Sequence, residues 1–482
     1  MKAVEQPSHV LSRRPRARRG ERAPELGATD LKLSSLWKGL RAESMALWAL
    51  CAFVFFEYIR PQQMYPIIDV LPWGLITIVV ASVAAMMSRG PSHGLNALDV
   101  LGGVLLLIVV ASMALAYDPA LAFGEWKAVG TIVLMYFCLR AALNTPNRLL
   151  LFTIVFLILN LKFSQYSARS FATRGFSFAG FGVAGSGWFT NSGELSMQMG
   201  VFFFMSLCVL LALRPFVKNQ RRWWVLMALL PGTALLTVIA SSSRGGQLAL
   251  AVAATLMLVK PPDFLRKLGG FAVLVVLVAI FLPQEQIDRF RTAGEDDTSQ
   301  SRLAYFEIGK QIFSENPAGI GLNNWRRYYG DFYWDPEIFR RIEVSHNSYL
   351  DAFVELGLQG GIVFLLMLVA AMLMNLQTQA KLKNRTDAGS LATRGIARGI
   401  NLGLLSTCIA SYFMSVLYYP VFWLAFGLTS AAFQVSRSLV DGKSSTAAPG
   451  KTRRRVPNAR ALRPAAAAAL DRAEAPWSVQ GP

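Results

Sequence analysis

From residue 45 onward, apolar stretches alternate with short polar connections twelve times, near 45–59, 70–87, 98–116, 128–143, 148–163, 194–213, 223–242, 246–259, 269–283, 356–376, 399–418 and 421–438. Their interiors are nearly free of charge. A helix crossing a bilayer core needs about 17–25 apolar residues, so the pattern predicts an all-α, polytopic integral membrane protein with about 12 transmembrane helices. The first and eighth stretches are short and are expected to tilt, lie shallow or borrow their flanks. Three segments break the rhythm. Residues 1–44 are polar, with a basic block at Arg13, Arg14, Arg16, Arg18, Arg19 and Arg22, and read as a disordered cytoplasmic tail. The first apolar stretch starts too late, and without a small-residue cleavage pattern, for a signal peptide. Residues 284–345 form one large polar loop, and 439–482, with the Ala465–Ala469 run, form a low-complexity basic tail. The resulting order is tail 1–44, nine spans within 45–283, loop 284–345, three spans within 346–438, and tail 439–482.

Charge fixes the orientation. Of 482 residues, 54% are hydrophobic and 16% charged, with a formal net charge of +19. The basic residues gather in the tails and in alternate connections: Arg89; Arg140 and Arg148; Arg214, Lys218, Arg221 and Arg222; Lys260, Arg266 and Lys267; and Lys381, Lys383, Arg385, Arg394 and Arg398. That is the positive-inside distribution, with both termini cytoplasmic, rather than a nucleic-acid footprint. The excess faces anionic lipid headgroups. The loop 284–345, with eight basic and eleven acidic residues, falls on the outer side. Cys51, Cys138, Cys208 and Cys408 lie in apolar stretches, and His9, His93 and His346 lack ligand spacing. Neither a disulfide framework nor a metal centre is expected, and no cofactor.

Candidate chemistry collects on that outer side. The polar stretch Ser345-His346-Asn347-Ser348 leads into a helix, with Ser348 and Asp351 spaced like a capping box. His346 just ahead of a helix N-terminus is expected to stay neutral near pH 7 and to accept a proton, while the free N–H groups there favour phosphate. Ser241-Ser242-Ser243-Arg244-Gly245-Gly246 forms a tight turn whose glycines allow close backbone approach by a ligand and whose arginine has no acid nearby in sequence. Arg302 sits on an amphipathic helix with Leu303, Phe306, Ile312 and Phe313, ended by the turn Asn316-Pro317-Ala318-Gly319-Ile320-Gly321. The Gly-rich segment from Arg174 to Asn191 joins the fifth and sixth stretches. Arginines beside a neutral histidine at a bilayer surface suit a lipid phosphate or diphosphate, because guanidinium pairs bidentately with phosphate and stays charged. Fixed arginines also stabilise a leaving group as negative charge develops. Trp325, Tyr328, Tyr329, Phe332, Tyr333 and Trp334 read either as sugar-stacking rings or as an interfacial belt. Gly357, Gly360 and Gly361 read as helix-packing contacts.

His346-Asn347 followed by Gly357-Leu358-Gln359-Gly360 resembles the signature of the O-antigen ligase and polymerase superfamily. The Ser243-Arg244-Gly245 turn, Arg302 and the Asn316-Pro317…Gly319-Ile320-Gly321 pattern extend the resemblance, with Asn191-Ser192-Gly193-Glu194 a looser match, over roughly 185–375. The resemblance implies a GT-C-like membrane fold with one large periplasmic loop and a metal-independent inverting glycosyltransferase of the inner membrane. The donor would be an undecaprenyl-diphosphate glycan and the acceptor a lipid or glycan hydroxyl. His346 would be the base, Arg244 and Arg302 the diphosphate ligands with Arg174 a third contact, and Asn347 would orient the histidine or cap the helix. Ligation to lipid A core is favoured; repeat-unit polymerisation and protein O-glycosylation use the same site. A transporter for polysaccharide intermediates is the rival from another class, but transporters place functional charges near the midplane, and here they sit at one surface.

Overall fold

A computed structural model describes residues 32–88, 94–177, 188–258, 269, 291, 297–335 and 341–442. The basic block 13–22, His9, Arg89, His93, Gly185–Gly187, the stretch 269–283 beyond Gly269, Lys260, Arg266, Lys267 and the tail from 443 lie outside the described residues. Two compact units are distinguished, Met1–Arg437 and Ser438–Pro482. Of the second, only Ser438–Gly442 is described, and it starts as the end of a helix.

The described secondary structure is helical, without strands: α1 Leu33–Arg41, α2 Met45–Tyr58, α3 Trp73–Met87, α4 Ala97–Ala114, α5 Trp126–Ala142, α6 Pro146–Thr173, α7 Ser192–Leu213, α8 Gln220–Ala240, α9 Arg244–Leu258, α10 Asp297–Glu315, α11 Trp325–Phe332, α12 Ser348–Lys381, α13 Ala388–Ala410 and α14 Pro420–Val440. Each apolar stretch within the described residues falls on a helix. Five of these (α4, α6, α8, α12 and α7 continued to Phe216) are both long and apolar enough to cross a membrane, and α2, α3 and α9 are shorter apolar helices. The described residues are therefore all-helical, with helices of the length and apolarity expected of membrane spans.

Three boundaries differ from the sequence reading. Leu33–Arg41, expected to be disordered, is helical because Leu33, Leu36, Trp37 and Leu40 recur at helical spacing. Arg394 and Arg398 lie inside α13 rather than in a connection, and that helix stops at Ala410 instead of near 418. Residues 411–419 then leave helical structure (after one 3₁₀ turn) and return to the N-terminal end of α12, where Ser348 Oγ donates to the Met414 carbonyl at 2.6 Å and accepts from Val416 N at 2.8 Å. Pro420, at the first position of α14, restarts the helix.

The tightest helix pair is α7 with α13. Gly395, Gly399 and Gly403, spaced one turn apart, lie against α7 so closely that a methyl group on Gly399 would sit 2.8 Å from Met205 Cα and one on Gly403 3.3 Å from Val201 Cα. Small residues substitute for hydrophobic driving force where the surroundings are as apolar as the helices. Buried amides add links, Gln198 to Asn160 at 2.8 Å and Asn375 to Thr429 at 2.8 Å. Arg140 and Arg148 are ion-paired, with Asp99 at 2.8 Å and Glu43 at 2.7 Å.

The described part of the large loop is held by an aromatic cluster. Tyr305 and Ile312 of α10, Ile320, Trp325 and Tyr329 of α11, and Leu350 and Val354 of α12 form one buried cluster, with Phe306 and Phe313 packed against it. Leu303, expected on the apolar face, is 57% exposed, and Tyr305 is buried in its place. Trp325 and Tyr329 are therefore core, neither a belt nor a free stacking platform, whereas Phe332 and Trp334 stay exposed.

One seam fixes the loop to α12. At Gly357 the helix breaks, with φ +72° and ψ −177°, a conformation essentially confined to glycine. The turn after α10 enters this break. Ile320 N donates to Val354 O at 2.9 Å, Gly321 N to Glu355 O at 3.0 Å, and Leu358 N to Pro317 O at 2.9 Å. The Gln359 side chain donates to Ala318 O at 2.9 Å. A Cβ at Gly357 would collide with the Ala318 carbonyl. The expectation that another helix packs here is corrected at Gly357, where the partner is the turn, whereas Gly360 does meet Ile108 of α4 at 3.5 Å beside its own Leu356, and Gly361 faces Phe353.

Candidate functional site

Five segments of the chain border one cavity of about 1110 Å³. The N-terminus of α7 supplies Asn191 and Glu194, the turn before α9 supplies Ser243 and Arg244, α10 and α11 supply Arg302 and Arg326, and the segment before α12 supplies Arg341, Glu343 and His346. Tyr419, from the segment before α14, closes the wall.

Each segment is shaped by its own sequence. Asn191 and Glu194 form a capping box, the Asn191 side chain accepting from Glu194 N at 2.9 Å and Glu194 Oε2 accepting from Asn191 N at 3.2 Å. Glu194 Oε1 also accepts from the Tyr419 hydroxyl at 2.6 Å, tying two walls together. Ser242 takes a positive φ of 54°, and Arg244 starts α9 directly after it. The arginine reaches Ser299 Oγ of α10 at 3.4 Å, joining the turn to the loop. The glycines of that turn also serve packing, since a Cβ on Gly245 would lie 2.9 Å from the Phe413 ring and one on Gly246 would overlap Ser196, while Gly245 itself borders the cavity.

His346 occupies the left-handed region, φ +57°, which histidine enters less often than glycine or asparagine. Its Nε2 lies 2.9 Å from Glu343 Oε2. An ionised carboxylate only accepts, so Nε2 carries the proton and Nδ1 is the nitrogen with a free lone pair. Burial pushes the imidazole below its ordinary 6.5, Glu343 opposes that shift, and the cations Arg302 and Arg326 reinforce it. Neutrality thus comes first from desolvation rather than from the helix terminus. Glu343 in turn is held below its usual range by the hydrogen bond from His346, with Arg341 acting the same way against burial.

The helix-start reading needs a second correction. The N-cap of α12 is Asn347, not Ser348: its side chain accepts from Tyr349 N at 3.0 Å and Leu350 N at 3.1 Å. Those N–H groups are consumed by the cap and do not face a phosphate. Asp351, assigned to the box, instead accepts from the Ser345 hydroxyl.

Of the sequence candidates, His346, Arg244 and Arg302 meet at the cavity. Arg174 does not line it but ends α6 as its C-cap. Asn347, Gly357 and Gly360 are also outside the lining and act on the backbone. Arg326, Arg341, Glu343 and Tyr419 were missed. Glu343 had a local signal, a carboxylate three residues before the candidate histidine. Arg326 and Tyr419 had none, because only the fold of the loop and the early end of α13 bring them in.

Chemically, the cavity joins a base nitrogen to four guanidinium groups, with Glu194 and Glu343 as the acids in its lining. Such a site binds an anion with more than one negative charge and can take a proton beside it. Residues 229–365 match the O-antigen ligase family, a segment that contains Arg244, Arg302, the turn 316–321, His346 and Gly357. No curated protein matches the chain.

Proposed function

We propose that this chain, whose residues 229–365 match the O-antigen ligase family, is a ligase- or polymerase-type glycosyltransferase acting on a lipid-linked glycan and an acceptor. The protein transfers a glycan from undecaprenyl diphosphate to an acceptor hydroxyl, lipid A core or a similar lipid, at the periplasmic face of the inner membrane. The alternation of basic connections supports this orientation, read as about twelve spans with both termini cytoplasmic.

His346 Nδ1 removes the acceptor proton as the hydroxyl oxygen attacks the anomeric carbon. The bond from that carbon to the diphosphate oxygen breaks with inversion, and undecaprenyl diphosphate departs with the electron pair. Arg244 and Arg302 hold the diphosphate and stabilise the charge gained by its bridging oxygen. Arg326 takes the third place that Arg174 does not fill. Glu343 fixes the tautomer and stabilises the imidazolium formed. The observation that carries this reading is the convergence of His346, Arg244, Arg302 and Arg326 on one cavity.

Purified protein given an undecaprenyl-diphosphate glycan together with core lipid tests the proposal. Transfer to core is expected, and His346→Ala should reduce it by about 10²–10⁴-fold. Chain extension without core lipid would replace ligation by polymerisation. Full transfer by His346→Ala, with lipid flipping lost, would favour transport.

A further inference from the structure

Behind the arginine-lined cavity lies a second one, of about 410 Å³, that the transfer step leaves unused. The two share Arg326, Val344, Ser415 and Tyr419 as a common wall. The linings differ in kind. Where the first gathers four guanidinium groups, the second is bordered by Asp351 and Glu355, one turn apart on α12, with Asn323, Trp325 and Tyr418, and Arg326 is its one cation among the lining residues. Two buried acids and one guanidinium offer a phosphate far less than the four guanidinium groups next door. An acid, the Asn323 amide and the Tyr418 and Tyr419 rings are instead the groups that bond sugar hydroxyls and lie against sugar rings, with Trp325 as buried support behind them. The volume falls within the usual range of about 300–1,000 Å³ for small-molecule sites.

The second cavity is also wired to the base. Glu355 accepts from Trp325 N at 3.1 Å, Asn323 N at 3.0 Å and the Tyr418 hydroxyl at 2.6 Å, so its carboxylate is fixed in place. The Trp325 indole N–H donates to the Glu343 carbonyl at 3.1 Å, and Asp351 holds Ser345, the residue before His346. A ring seated here touches the supports of both Glu343 and His346.

We propose that this second cavity is a subsite for a neutral sugar ring, placed so that a substrate crosses the shared wall between it and the arginine-lined cavity. The inference rests on the proposed glycan transfer. The ring belongs either to the acceptor, whose hydroxyl then points at His346, or to the donor glycan.

The test is binding rather than turnover. Saturation-transfer NMR is run on the full-length protein in detergent with a lipid-free core oligosaccharide and, separately, with a lipid-free repeat-unit oligosaccharide. Leu121→Trp, at an exposed residue that lines the second cavity and not the first, fills it, and Asp351→Asn removes one carboxyl group. Either oligosaccharide should bind the wild type, and both variants should weaken it by about tenfold or more, the scale of a lost hydrogen bond to a charged group. Loss confined to core oligosaccharide assigns the ring to the acceptor, and loss confined to the repeat unit assigns it to the donor. Arg244→Ala should bind oligosaccharide as the wild type does while losing transfer. If that variant kept transfer, the diphosphate assignment would fail and the sugar subsite would stand. Equal binding by wild type and Leu121→Trp, or no binding by the wild type, overturns the subsite.

Discussion

Replacing Glu343 by Gln probes the base most directly. The Glu343 carboxylate lies 2.9 Å from His346 Nε2, with the two side chains 26% and 30% exposed. A hydrogen bond to a charged group contributes about 1.5–3 kcal/mol, and partial solvent access places this one at the lower end. About 1.4 kcal/mol is a tenfold rate change, so kcat should fall about tenfold. KM should hardly move, because the carboxylate matters most when the imidazolium forms in the transition state. The pH profile supplies a second, independent reading. A base acts when unprotonated, so the rate rises with pH through the histidine pKa, and burial puts that rise below 6.5. Glu343 raises this pKa; without it the acid limb moves to lower pH while the plateau drops. A merely structural role would lower the amount of active protein and leave the limb in place. An unchanged plateau, or a limb moved to higher pH, would refute the assignment of Glu343.

Three further outcomes are expected. Arg302→Gln removes a cation that lowers the His346 pKa, so the acid limb should move to higher pH in rate measurements, and donor affinity should fall; Arg302→Lys should restore the limb but only part of the affinity, because lysine cannot pair bidentately. Gly357→Ala should destabilise by about 1–3 kcal/mol for the backbone conformation alone, with the Ala318 collision in addition, read as a lower unfolding temperature in detergent. Gly399→Leu should separate α7 from α13 and cost at least about 1–3 kcal/mol by the same measurement, whereas Gly103→Leu, with open space around it, should cost less.

The apolar rhythm made the helices legible because length and hydropathy are local properties. The meeting of Arg244, Arg302 and His346 was legible from loops ending on one side together with a resemblance in motif order. What the sequence hid was non-local. Arg174 sits at a helix end like its peers, and nothing in its neighbours says that it stays off the cavity. Tyr419 read as a mere connection between two spans until α13 proved to end at Ala410, and Trp325 looked like a surface aromatic until Tyr305 and Leu350 covered it. The glycines of α13 carry no signal without their partner, since Gly395, Gly399 and Gly403 gain meaning only from the backbone of α7 opposite.

The seam between Ala318 and Gly357 has a practical consequence for genetics. A random-mutagenesis screen scored only by surface polysaccharide would rank lesions at this joint beside those at His346, because a misassembled chain and an intact but inert one leave the same blank lane. Counting folded protein in the envelope alongside the product would sort the two, and the glycines of the signature would then fall among architectural positions, several residues from any reacting atom.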